Sequence, residues 1–95
     1  MTGNRIELEG RIFGQLEVRT TPAGTTVLRF TVECGAHGEE LRLNVVMTGE
    51  SALSAKPLLE RGGQVKVNGR MRSLKGSLKT GAGFEVVAAS IERSE

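Results

Sequence analysis

Glu50-Ser51-Ala52-Leu53-Ser54-Ala55-Lys56-Pro57-Leu58-Leu59-Glu60-Arg61-Gly62-Gly63 is the stretch on which the fold turns, because it alone does not alternate. Leu53, Ala55, Leu58 and Leu59 recur at helical rather than strand spacing, and the paired glycines supply a stop signal. Pro57 has no N–H to donate and its ring crowds the preceding turn. The spacing therefore predicts a turn of helix ending before Pro57 and a second short turn starting at it.

Three alternating segments precede this element. Over residues 4–13, Ile6, Leu8, Gly10 and Ile12 share one parity and Arg5, Glu7, Glu9 and Arg11 the other, the period of a half-buried strand. Gly10 and Gly14 mark places where the strand bends or bulges, and the chain stays extended through residues 16–19. Thr21-Pro22-Ala23-Gly24 is a turn: proline presets φ, and glycine permits a positive one. Residues 26–34 alternate again, with Leu28, Phe30, Val32 and Cys34 inward and Arg29, Thr31 and Glu33 outward. Gly35-Ala36-His37-Gly38 reads as a short loop that joins this strand to the next as a hairpin. Residues 40–48 form the third strand. Leu41, Leu43, Val45 and Met47 face the core; Arg42, Asn44, Val46 and Thr48 face out.

Two more strands follow the helix. Over residues 64–72, Val65, Val67, Gly69 and Met71 face in and Lys66, Asn68, Arg70 and Arg72 face out. Residues 73–83 hold three glycines and two lysines and read as a loop. Residues 84–91 are the fifth strand, with an ambiguous inward parity because Val86 and Val87 are both apolar. Five antiparallel strands with a short helix between the third and fourth is the plan of the OB-fold, a Greek-key barrel. An SH3-like barrel does not place its helix there. The expectation is an all-β chain forming one domain over residues 1–95.

Composition narrows the function. At 95 residues and 10.2 kDa there is room for one modest core. No apolar run approaches the roughly 20 residues that span a bilayer. No apolar signal core follows Met1-Thr2-Gly3-Asn4-Arg5, so a cytoplasmic location without membrane attachment is expected. A single Cys allows no intrachain disulfide. With one His, one Cys and no Asp, neither a Cys/His zinc site nor a Ser-His-Asp triad can be assembled, although His37 with a Glu is formally possible. There is no phosphate-binding loop of the Gly-Lys-Ser kind. A binding module is expected rather than an enzyme, with no cofactor and no metal.

The net charge of +2 conceals a segregation. Residues 61–82 carry six bases (Arg61, Lys66, Arg70, Arg72, Lys75, Lys79) and no acid, whereas the remainder has seven bases against 11 acids, a net of −4. Clustered Lys/Arg is the footprint of phosphate binding.

Asn4-Arg5-Ile6-Glu7-Leu8-Glu9-Gly10-Arg11, followed by Leu16-Glu17-Val18-Arg19-Thr20-Thr21-Pro22-Ala23-Gly24-Thr25 and Phe30, resembles the bacterial single-stranded DNA-binding protein family. Asn44-Val45-Val46-Met47-Thr48-Gly49 and Leu59-Glu60-Arg61-Gly62-Gly63-Gln64-Val65-Lys66-Val67-Asn68-Gly69-Arg70-Met71 continue the likeness over most of the chain. Within that superfamily the chain is most similar to the primosomal replication protein N group, shorter dimeric relatives that act in replication restart. Two departures from the general protein point that way. The sequence stops at Glu95 without a long acidic-tipped tail, and the stacking aromatics are missing: their third-strand positions hold Arg42 and Thr48, and that of the last long loop falls near Gly76. The resemblance implies single-stranded DNA as ligand, a restart helicase or other primosome proteins as partners, and a homodimer.

Generic single-strand binders combine a basic groove with aromatic platforms. Here there are three Phe and no Trp or Tyr. Phe30 has core parity, and Phe84 is ambiguous between core and interface. Phe13, outward and next to Gly14, is the one candidate for base stacking, so electrostatics must dominate. The candidate nucleic-acid-binding residues are Arg29, Arg42, Lys66, Arg70 and Arg72 on outward strand positions, with Lys75 and Lys79 in the last long loop. Glu33 and Glu85 read as solvated partners of these bases, His37 as an exposed turn residue and Cys34 as a packed thiol. The first strand, with Phe13 and the hairpin of residues 41–47 nearby, is the candidate dimer surface. The alternatives are a short general single-stranded DNA-binding protein, or an OB barrel used purely for protein docking, since fold alone does not imply function.

Overall fold

The computed structural model describes residues 4–35, 40–73 and 84–94. They form β1 (Ile6–Thr20), β2 (Thr26–Cys34), β3 (Leu41–Thr48), α1 (Gly49–Arg61), β4 (Gln64–Ser73) and β5 (Phe84–Arg93). The strands close into a barrel in the order β1-β2-β3-β5-β4, with β4 returning to β1. With α1 between β3 and β4, this is the OB-fold. The seam between β3 and β5 is parallel, through Val45↔Val86 and Val46↔Val87. The expectation of five antiparallel strands fails there for a topological reason: an odd number of strands cannot alternate in direction all the way around a closed ring.

β1 serves two partners. Its residues from Ile6 to Arg11 pair with β4, and those from Arg11 to Thr20 pair with β2. Fifteen extended residues would reach roughly 50 Å at about 3.3 Å each, more than the 42 Å longest extent of the molecule, so the strand must bend. It does so where its sequence allows. The register with β2 shifts between Phe13 and Glu17, and Gly14 between them has φ 79°. At Gly10 the constraint is space instead. A Cβ there would lie 2.3 Å from the Glu33 carbonyl oxygen, so only glycine lets β2 cross so closely.

The matching corner is at Gly69, whose Cβ would lie 2.1 Å from the Val87 carbonyl oxygen. Here Asn68 faces Ser90 but Gly69 faces Ala88, leaving Ala89 as an extra residue in β5. The bulge resolves the ambiguous parity of this strand. Val86 and Ala88 are inside before it, and Ile91 packs on the core after it. Val87 lies on the outer parity next to Val46, and Val46 is itself only 2% exposed despite its outward position.

α1 closes one end of the barrel with Ala52, Ala55 and Leu59. It is a single helix, not two short turns: Pro57 sits inside it. The buried stripe lies on both sides of the proline, so packing holds the two halves together. Pro57 and Leu53, whose carbonyl loses its helical donor, are both exposed, and water can take the donor's place. Leu53, assigned to the apolar face by spacing, is 55% exposed; Ala52 takes its place inside. No helix among the described residues is long and apolar enough to cross a membrane.

Candidate nucleic-acid interface

The register places the outward side chains of β1, β2 and β3 in rows. Arg11, Glu33 and Arg42 form one, Phe13, Thr31 and Asn44 the next, and Glu17, Arg29 and Val46 a third. The third continues across the seam to Val87 and Arg70. Arg72 stands opposite Glu85 on the neighbouring rung. Alternation of β2, β3 and β4 is therefore what turns Arg29, Arg42, Arg70 and Arg72 to the outside of the barrel.

Glu85 organises the centre of this face. Its side chain is 1% exposed, and it receives Arg29 Nη1 on Oε1 at 3.1 Å and Arg72 Nε on Oε2 at 3.0 Å. Arg72 Nη2 also donates to Oε2. Glu85 is thus not a solvated counterion. A buried carboxylate is tolerated only when paired and hydrogen-bonded, and here two guanidiniums supply both conditions. Each arginine keeps its remaining donors toward solvent, since the two side chains are about half exposed. The clasp carries one negative and two positive charges, a net +1 presented on two planar forks suited to phosphate.

Arg42 is held differently. Its Nε donates to Glu33 Oε2 at 3.0 Å, and its guanidinium lies 3.8 Å from the centroid of the Phe13 ring. The ion pair is exposed and worth only about 0.2–1 kcal/mol, so a phosphate can displace Glu33. The cation–π contact is a stacked tier of two planar groups, a surface on which a nucleobase can continue the stack. Phe13 is 41% exposed beneath it. Between this tier and the Glu85 clasp, Thr31 Oγ1 donates to Asn44 Oδ1 at 3.3 Å. A cleft of about 300 Å³ opens there, lined by Arg29, Thr31, Asn44, Glu85, Gln15 and Glu17.

Arg29, Arg42 and Arg72 are thus brought to one face, and Arg70 lies beside Arg72 on the same parity. Lys66 is not brought to them. It shares their parity on β4 but stands between Glu9 of β1 and Glu92 of β5 in register, among carboxylates. Lys75 and Lys79, like His37, lie outside the described residues. Phe30 is core at 4% exposure, whereas Phe84 is 62% exposed at the start of β5.

Glu85 partners basic residues as expected, but it does so buried rather than solvated. Its two partners are 13 and 56 residues away, and the signal that could have shown the burial was an acid beside Val86 and Val87 on a strand too apolar to leave it in water. Cys34 packs against the core, and burial pushes its thiol above the ordinary value against a weaker backbone hydrogen bond involving Glu9. No group of three or more His, Cys, Asp or Glu residues capable of holding a metal occurs among the described residues.

A search of curated proteins gives no match. The model of the single-strand binding protein family, by contrast, matches residues 3–94, nearly the whole chain, and that family implies binding of single-stranded DNA. The barrel, its strand order and this full-length match together mean that the chain belongs to the single-strand binding protein family.

Proposed function

We propose that the chain binds single-stranded DNA across the outer face of β2, β3 and the start of β5, and that it does so as a replication-restart accessory protein of the primosomal type. The observation that carries the binding mode is the Arg29–Glu85–Arg72 clasp beside the Arg42–Phe13 tier. The clasp arginines take phosphates, and bases stack on the tier, which stands in for the aromatics that the general proteins of this family use. Arg70, Lys75 and Lys79 add phosphate contacts at the β4 side, the two lysines from their place in sequence between Ser73 and Phe84. Lys66 contributes least, because Glu9 and Glu92 flank it.

The restart role is supported by Arg42 and Thr48 where stacking aromatics are expected. A protein with few stacking groups suits transient contact with DNA and with a restart helicase. A homodimer is part of this reading. Past Gly14, β1 pairs only with β2 among the described residues, so the segment holding Val18, 45% exposed, has an edge free for a second copy.

The test is fluorescence anisotropy of end-labelled oligo-dT at several salt concentrations, with sedimentation to count protomers. Single strands lose about 0.7 in log–log slope per phosphate neutralised. The five contacts of Arg29, Arg72, Arg70, Lys75 and Lys79, or six with Arg42 released from Glu33, therefore predict a slope of roughly −3.5 to −4. A slope near zero with affinity retained at high salt refutes the mode. One observation favours a second reading, protein docking: Arg29, Arg42 and Arg72 are all already paired with carboxylates. Absence of binding even at low salt selects that reading.

A further inference from the structure

We infer that the groove between the start of β1 and the β4–β5 bulge is a second phosphate subsite, which carries the single strand past Arg72 and around the barrel through Arg5 and Arg70. The inference rests on the DNA-binding mode proposed above and extends it from Arg70, already among its phosphate contacts, to Asn4 and Arg5 across the groove.

The groove is a cleft of about 580 Å³, and Asn4, Arg5, Asn68, Arg70 and Ala89 are among its lining residues. It forms where Ala89 bulges out of β5 opposite Asn68 and Gly69. Its two guanidiniums flank the register pair Ile6↔Gly69, Arg5 on β1's approach and Arg70 on β4. Both are exposed, and neither makes an ion pair among the described residues, unlike Arg29, Arg42 and Arg72. Glu7, opposite Asn68, makes none with either. Like charges on adjoining strands repel, so a polyanion in the groove relieves a repulsion that the free protein carries.

The asparagine at the rim is oriented for the same task. The Met71 N–H donates to Asn4 Oδ1, and the Asn4 amide NH₂ has no hydrogen-bond partner among the described residues. The groove also continues the track already described. Arg70 is two residues from Arg72 on the same face, roughly 6.6 Å along the strand, about one nucleotide step. The ligand class is therefore the phosphate backbone of the strand leaving the Glu85 clasp.

The experiment compares wild type with Arg5→Ala/Arg70→Ala on labelled oligo-dT from four to 16 nucleotides, over a salt series. Two lost phosphate contacts reduce the salt slope on the longest oligomer by about 1.4. On the shortest oligomer that binds, wild type and variant should coincide. Arg61→Ala/Arg93→Ala removes the same charge from a different cleft at the end of α1 and should leave the slope unchanged. Arg5→Lys/Arg70→Lys should restore it, which separates phosphate contact from a folding defect. Equal slopes for wild type and the Arg5/Arg70 alanine variant on the longest oligomer overturn the subsite while leaving the central face intact. An equal loss from Arg61→Ala/Arg93→Ala overturns it as well, because the effect is then net charge alone. Wild type that binds no oligomer at low salt refutes the central face and the subsite together.

Discussion

Removing Arg29 and Arg72 together should damage folding more than removing the carboxylate they share. Glu85 is 1% exposed, with Oε1 taken by Arg29 at 3.1 Å and Oε2 by Arg72 at 3.0 Å. A hydrogen bond to a charged group contributes about 1.5–3 kcal/mol. Arg29→Ala or Arg72→Ala alone should cost about 2 kcal/mol, because one guanidinium still neutralises the carboxylate. The double variant leaves a buried charge with no partner, which costs about 3–5 kcal/mol. Glu85→Leu runs the other way. The arginine side chains are 48% and 47% exposed, so on losing Glu85 they return to water, and the cost should stay within about 1–2 kcal/mol. The triple variant Arg29→Ala/Arg72→Ala/Glu85→Leu should then be more stable than the double.

The assay is urea unfolding followed by far-UV circular dichroism, since a chain without Trp or Tyr gives no useful fluorescence. Protein concentration is held fixed because a dimer would make stability concentration-dependent. At an m value of about 1–1.5 kcal/mol/M, the double variant moves the midpoint by roughly 2–5 M. A double variant within about 1 kcal/mol of wild type would falsify the reasoning, as would a triple variant no more stable than the double.

Three further outcomes follow from the same geometry. Gly69→Ala forces a Cβ to 2.1 Å from the Val87 carbonyl and should cost about 3 kcal/mol, whereas Gly24→Ala, in open space at φ 89°, should cost only about 1–2 kcal/mol; equal thermal shifts would show that the β4–β5 crossing is not tight. Pro57→Ala should stabilise by about 2 kcal/mol, the helix-interior penalty of roughly 3 less the stiffness proline lends the unfolded chain, and raise the melting temperature by about 10 °C; a lower melting temperature would mean that the proline is favourable where it stands. The raised pKa of Cys34 keeps its thiol protonated at neutral pH, so iodoacetamide should label native protein more slowly than unfolded protein, with the native rate still climbing as pH passes 9.0; identical rates at pH 7.5 would contradict its partial burial.

Most of the fold was legible because strands are written locally. A period of two in residues 4–13, 26–34, 40–48 and 64–72 needs no knowledge of partners, and the break at residues 50–61 needs none either. What was illegible depended on partners. Pro57 forbids a helix only in isolation; Ala52 and Leu59, packed on the same barrel end, override it. The parity of β5 was unreadable because Ala89 is an extra residue, and whether a residue is extra is a property of the facing strand.

The site divides the same way. Parity correctly turned Arg29, Arg42, Lys66, Arg70 and Arg72 outward, but availability for phosphate is set by what lies across the sheet. The span 61–82 holds no acid in sequence, yet in space Glu85 reaches Arg72, and Glu9 and Glu92 flank Lys66. Lys66 and Arg70 make the point most sharply. They are four residues apart on one strand, with one parity and one charge, and nothing local distinguishes them. Register does: Lys66 meets two carboxylates, and Arg70 meets Val87 on one side and the approach of Arg5 on the other. A barrel strand therefore carries a basic residue toward a polyanion or toward an internal partner according to its neighbours' register, and an acid-free stretch of sequence gives only an upper bound on the positive charge available to DNA.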